Sequence, residues 1–160
     1  MSLPETRIGG YGVTRLVLGS NPFLGFSHFS QARSRWLKKH FTVDRIVEVM
    51  WRCQELGMNA VVGPADEKLF RALEEAGKAS GERMTWISTT YGKPDPGQQS
   101  REIRWLAERG AEICLIHAGY TDTHHVQAEN RIVGLEELLK LVRDLGMVPG
   151  VSTHNPQTVR

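Results

Sequence analysis

The chain of 160 residues is 40% hydrophobic and 24% charged, with a formal net charge of +2. This is the composition of a globular domain with one core, and a charge so near zero gives no electrostatic reason to expect nucleic acid or an anionic membrane as partner. Met1–Pro4 opens no apolar run and no stretch reaches the roughly 18 residues of a membrane span, so neither leader nor anchor is read and a cytoplasmic protein is expected.

From the N-terminus, Gly9-Gly10 between Arg7-Ile8 and the run Val13–Leu18 predicts a small hairpin, one that would cover the bottom of a barrel. Arg15–Leu18 is the first of five short apolar runs read as strands. The others are Asn59–Val62, Thr85–Thr89, Ile113–His117 and Val148–Ser152. Most are continuously apolar rather than alternating, the pattern of strands covered on both faces.

Helical patterns lie between them. Before the first, QARSRWLKKH carries Arg33, Arg35, Lys38 and Lys39 and reads as a solvated helix face, with anion binding as the alternative. Thr42 then caps a helix that places Val43, Ile46, Val47, Met50 and Cys53 on one face. Phe41 and Ile46 form a hydrophobic staple, and Gly57 is the stop. The next helix starts near Asp66 and offers Leu69, Phe70 and Leu73 before Gly77. A third, around Arg101–Arg109, offers Ile103, Leu106 and Ala107 before Gly110, and a fourth offers Leu135, Leu138, Leu139, Val142 and Leu145 before Gly146. Cys53 and Cys114 stand far apart with no CxxC spacing, so both are read as reduced, buried thiols.

Strands alternating with helices predict an α/β fold of parallel β/α units joined by right-handed crossovers. Two architectures fit: the N-terminal half of a (β/α)8 barrel, which needs about 250 residues when complete, or a five-stranded flavodoxin-like doubly wound sheet. Asn155-Pro156 reads as a helix start close to the final Arg160, and this favours the barrel, as a single incomplete domain. The first and fifth strands would then present open edges suited to self-association.

Both architectures bind ligands beyond the C-terminal ends of their strands, and those ends are polar here. They carry Ser20, Asn21 and Phe23 after the first strand, Thr90, Tyr91 and Lys93 after the third, His117 after the fourth, and His154 with Asn155 after the fifth. Neighbouring strands lie about 4.8 Å apart, so His117 and His154 are expected to converge on one ligand as hydrogen-bond donor, acid or base. The long connection over residues 19–41 mixes Phe23, Phe26 and Phe29 with His28. Its rings are read either as pocket walls or as a plug. His124 and His125 are read as solvated loop residues. No HxH or HExxH spacing is present, so no metal site is expected, and no glycine-rich nucleotide loop is seen.

At these positions a resemblance emerges. TRIGGYGVTRLVLGSNPF is similar to the opening of aldo/keto reductases, ISTTYG to their third strand, EICLIHAG to their fourth and VPGVSTHNPQTV to their fifth. The resemblance covers nearly the whole chain in order. It implies a (β/α)8 barrel whose members reduce carbonyls with NADPH, through a Tyr acid tuned by Lys, with Asp and His in support. Only His117 matches this set. Val62 stands where the Asp is expected and Thr90 where the Lys is expected, and GPADEKLF lacks the Tyr. Tyr91 and Lys93 are nearby substitutes at a different spacing. The segments that bind NADP in the family belong to later strands, so the cofactor is left unassigned and the chain alone is expected to be inactive.

Three functions follow as expectations. The first is an enzyme of small polar molecules in which His117 polarises a substrate oxygen while His154 and Asn21 position it. The second is a metal- or histidine-dependent lyase, isomerase or hydrolase using His117 and His154 with His28 or Asp122. The third is a non-catalytic ligand-binding fragment.

Overall fold

The computed structural model describes residues 3–159. Met1 and Ser2, read above as opening no leader, and Arg160, where the chain stops, lie outside the described residues.

Strands β1 (Glu5–Ile8) and β2 (Tyr11–Thr14) form the expected antiparallel hairpin around Gly9-Gly10. The Asn59 side chain secures it, accepting from the Thr14 N–H at 2.8 Å and donating to the Gly12 carbonyl at 3.0 Å. Asn59 immediately precedes β4 (Ala60–Pro64), so the hairpin attaches at the N-terminal end of that strand.

Five strands form one parallel sheet flanked by helices: β3 (Leu18–Gly19), β4, β5 (Thr85–Thr89), β6 (Ile113–Ile116) and, named out of turn, β9 (Val148–Val151). The α/β class expected from the alternation is therefore observed. The first sheet strand is shorter and later than the apolar run suggested. Arg15 and Leu16 are exposed, and the Arg15 N–H turns back to the Pro4 carbonyl, so only Leu18 and Gly19 pair, with Val61 and Val62.

Among the described residues six α-helices connect these strands: α1 (Gln31–His40), α2 (Val43–Glu55), α3 (Glu67–Ser80), α4 (Pro96–Glu108), α5 (Ala118–His124) and α6 (Leu135–Asp144). Side-chain caps set several starts. Thr42 accepts from the Arg45 N–H, and Asp66 accepts from Lys68 and Leu69, each satisfying donors that the helix cannot satisfy itself. Two boundaries depart from the periodicity. Helix α3 runs through Gly77 to Gly81, which takes the left-handed φ of 83°. Gly77 serves close approach instead: a Cβ there would lie 3.0 Å from Cβ of Arg83. Helix α4 starts at Pro96, capped by Asp95. Its first inward position is the buried Gln99, which an apolar count passes over. Helix α5 was not expected at all. It is followed by a small antiparallel pair, β7 (His125–Val126) with β8 (Arg131–Ile132).

The chain divides into two compact units, Met1–Trp86 and Ile87–Arg160. In the first, α2 packs on α3 and Ile46, Met50, Val61, Leu69, Leu73 and Trp86 are fully buried. Trp86 Nε1 donates to the Gly63 carbonyl at 3.2 Å, which satisfies its one polar atom. In the second, α4 packs on α6 and α6 on β9, over Ile103, Leu106, Ile113, Ile116, Leu138 and Val142. Each such side chain contributes about 1.5–3 kcal/mol on burial. Among the described residues no helix is long and apolar enough to cross a membrane.

Candidate active site

The first unit holds six of the anticipated residues. Ser20 is buried just beyond β3, and its N–H donates to the Val62 carbonyl at 3.1 Å. Asn21 is exposed, with its carbonyl accepting from the Phe26 N–H. Phe23 is buried edge-on against Phe41 at 5.1 Å, and its carbonyl accepts from Lys68 Nζ at 2.7 Å. Phe26 and His28 are exposed, as is Phe29, whose ring carries the Arg33 guanidinium at 5.0 Å.

The second unit builds a tighter constellation. At the end of β5, the Thr90 N–H donates to the Leu115 carbonyl, and its hydroxyl accepts from the His117 N–H at 3.0 Å. The loop that follows is held through its backbone. The fully buried Gln99 donates from Nε2 to the carbonyls of Tyr91 (2.9 Å) and Lys93 (2.8 Å). Glu102 accepts from the Tyr91 N–H at 2.6 Å. Lys93 is exposed. These bonds press Gly92 against the His117 ring, where a Cβ would come within 2.8 Å of Nδ1.

His117 ends β6 and caps α5. Its Nδ1 accepts from the Gly119 N–H at 3.0 Å. An accepting Nδ1 carries no proton, so the neutral ring carries its hydrogen on Nε2. Burial, and then the neighbouring His154, push its pKa below the usual value, while Asp122 and Glu102 pull the other way. His117 is thus a neutral imidazole with a free Nε2–H donor.

His154 is held in the opposite tautomer. Its Nδ1 lies 2.8 Å from Asp122 Oδ2, and its backbone N–H donates to the same carboxylate at 3.2 Å. An ionised carboxylate only accepts, so Nδ1 carries a proton, and in the neutral ring Nε2 presents a lone pair. The Thr153 hydroxyl also donates to Asp122 and is the main reason its carboxyl titrates below the usual range; the hydrogen bonds from His154 add to this. The His154 side chain is 84% exposed, so its Nε2 is open to a ligand.

Ser152 joins the two histidine-bearing turns. Its hydroxyl accepts from the Ala118 N–H at 2.9 Å and its carbonyl from the Thr121 hydroxyl at 2.6 Å. Asn155 acts as the expected cap, accepting from the Gln157 N–H at 3.0 Å. His124 and His125 are not solvated loop residues. His124 stacks on Tyr120 at 4.0 Å, and His125 Nδ1 lies 3.2 Å from the Thr158 hydroxyl. Both are half-buried because α5 and the β7–β8 pair fold over this stretch.

Three contributors were not assigned these roles from sequence: Asp122 as the group orienting His154, and Gln99 and Glu102 as the clamp on the Tyr91 loop. The available signal was a Gln and a Glu one turn apart at the start of a helix whose apolar stripe begins only at Ile103. Among the described residues no group of three or more His, Cys, Asp or Glu side chains is arranged to hold a metal ion.

The chain matches no protein-family model, and comparison with curated proteins finds no match. The residues present do not fit NADPH-dependent reduction as the aldo/keto reductase resemblance implies it. The position of the Lys that would tune the acid is Thr90, whose buried hydroxyl is occupied by the His117 N–H. The position of the supporting Asp is Val62 in β4.

Proposed function

We propose that this chain is the N-terminal half of an aldo/keto-reductase-like (β/α)8 barrel, a cytoplasmic enzyme that acts on the carbonyl group of a small polar molecule. The barrel reading is supported by the strand order β3-β4-β5-β6-β9, in which every sheet strand neighbours its predecessor in the chain. A doubly wound sheet reverses that order at a switch point. Both cysteines are free thiols, which suits a reducing compartment.

One observation carries the functional reading. His117 stands at the C-terminal end of a parallel strand with Nδ1 occupied by the Gly119 N–H, which leaves Nε2–H to donate to a substrate oxygen. A neutral donor fixed in advance polarises a carbonyl without the reorganisation water would need. The test is an NMR titration of the 15N-labelled chain with hydroxy-aldehydes and hydroxyketones of three to six carbons. The His117 Nε2–H resonance is expected to shift, with no corresponding signal in His117→Ala. If no compound in the series moves it, His117 is not a carbonyl-binding group.

A further inference from the structure

We propose that His117 and His154, held in opposite tautomers, form an acid–base pair for redox-neutral proton transfer at the carbon next to a carbonyl, so that the substrate class is an α-hydroxycarbonyl and the reaction its enolisation and isomerisation. This rests on the reading of His117 as the carbonyl-polarising group and adds to it a base and a reaction class.

The pair is complementary by construction. The Gly119 N–H fixes the hydrogen of His117 on Nε2, while the Asp122 carboxylate fixes that of His154 on Nδ1. One ring therefore presents a donor and the other a lone pair. Ser152, two residues before His154, bonds to Ala118 and Thr121 of α5, the helix that His117 caps and that carries Asp122, so both histidines are anchored to the same helix. Asp122 does more than orient: its negative charge stabilises the imidazolium that His154 becomes on accepting a proton.

The step balances without an oxidant, reductant or cofactor. His154 Nε2 takes the proton from the hydroxyl-bearing carbon. The C–H electron pair becomes a C=C bond, and the carbonyl π pair moves onto its oxygen, which His117 Nε2–H stabilises by hydrogen bonding. The remaining hydroxyl proton passes between the two oxygens of the enediolate. The His154 imidazolium then returns its proton to the former carbonyl carbon. The product is the isomer with carbonyl and hydroxyl exchanged. Hydride chemistry lacks its tuned acid here, because Thr90 and Val62 stand at the Lys and Asp positions; proton transfer needs neither.

Unlike NADPH-dependent reduction, for which the chain alone is expected to be inactive, this step draws only on groups within residues 87–160, so the chain itself serves for the test. The probe is dihydroxyacetone in D2O, with loss of its methylene proton signal followed by NMR. The expected result is exchange above the buffer rate, reduced tenfold or more by His154→Ala and by Asp122→Ala, with both variants retaining the native circular dichroism spectrum. Long-range 1H–15N spectra are expected to show His154 protonated on Nδ1 and His117 on Nε2. Dihydroxyacetone that shifts the His117 Nε2–H yet exchanges no faster than in buffer overturns the acid–base pair and leaves the carbonyl-binding reading standing. Failure to shift His117 removes both, and His154 protonated on Nε2 removes the base directly.

Discussion

Asp122 holds His154 by two different atoms: Oδ2 lies 2.8 Å from the ring Nδ1, and the same oxygen accepts the His154 backbone N–H at 3.2 Å. A carboxylate that grips both ring and backbone fixes where the side chain starts and how its ring is turned. Thr153 completes the grip through its hydroxyl. Replacing Asp122 with Ala removes the acceptor for all three donors. The expected loss is about 1–2 kcal/mol, read by urea denaturation; the site is partly solvated, so water replaces some of the lost bonds. The folded-state pKa of Asp122 is lowered. Its stabilisation is therefore present above the ordinary carboxyl range and is lost as pH falls through the folded value. The stability difference between wild type and Asp122→Ala is expected to shrink in acid. An equal difference at pH 3 and pH 7 would contradict this.

His117 titrates in the opposite sense from a histidine that gains an anionic partner. Burial lowers its pKa from the usual 6.5, so the folded state binds the proton less readily than the unfolded chain does. Its contribution to stability is full above 6.5 and is lost as pH falls through the depressed folded value. An NMR titration is expected to place its midpoint below that of a free histidine. His117→Gln is expected to flatten the loss of stability between pH 7 and pH 5. A midpoint above 6.5 would show that the charged form is favoured and that the ring is not a neutral donor.

Two glycines permit the Tyr91 loop to touch the His117 turn. A Cβ at position 92 would sit 2.8 Å from His117 Nδ1, and one at position 119 would sit 2.1 Å from the Gly92 carbonyl oxygen. Gly92→Ala is expected to cost about 1–3 kcal/mol and to shift the His117 ring resonances. Gly119→Ala is expected to cost more, because its clash is with backbone and no side chain can swing away. Urea denaturation of the two variants side by side measures the order; the reverse order would refute the packing argument.

The two thiols differ in reactivity for a structural reason. Cys114 lies fully buried in β6, and burial pushes its pKa up to about 12; Cys53 is only half-buried in α2, and burial raises its pKa as well. The thiolate is the reactive form. An aromatic disulfide reagent is therefore expected to modify Cys53 first, and Cys114 only on unfolding. Mass spectrometry of the partially modified native chain checks the order. Early labelling of Cys114 would mean that the second unit opens readily.

What was legible in advance followed short-range rules. Thr85–Thr89 reads as a strand because five consecutive residues suit a buried position, and the structure returns the same bounds. Thr42 reads as a cap because a short polar side chain ahead of an apolar stripe satisfies the first helical N–H groups, and the helix start read near Asp66 proves to be capped by that residue. Helix α5 escaped notice because its seven residues, AGYTDTH, complete only two turns and leave little room for an amphipathic period. Its stability comes from the His117 cap and from the burial of Ala118, Tyr120 and Thr121. The Gln99 clamp escaped because a buried amide breaks the hydrophobic pattern that marks a core position.

The sequence by itself determined the alternation of strands and helices, the parallel class and the polar strand ends that carry His117 and His154, because periodicity, capping and turn chemistry act over a few residues. Only the tertiary structure decided which groups meet and in what protonation. Asp122 reaches His154 across 32 positions, and the His117 N–H finds Thr90 across 27. Those meetings depend on strand register, with Ile116 opposite Val151 and Thr89 opposite Leu115. A shift of one residue along a strand turns each side chain to the other face of the sheet, and no local rule in the chain sets that pairing.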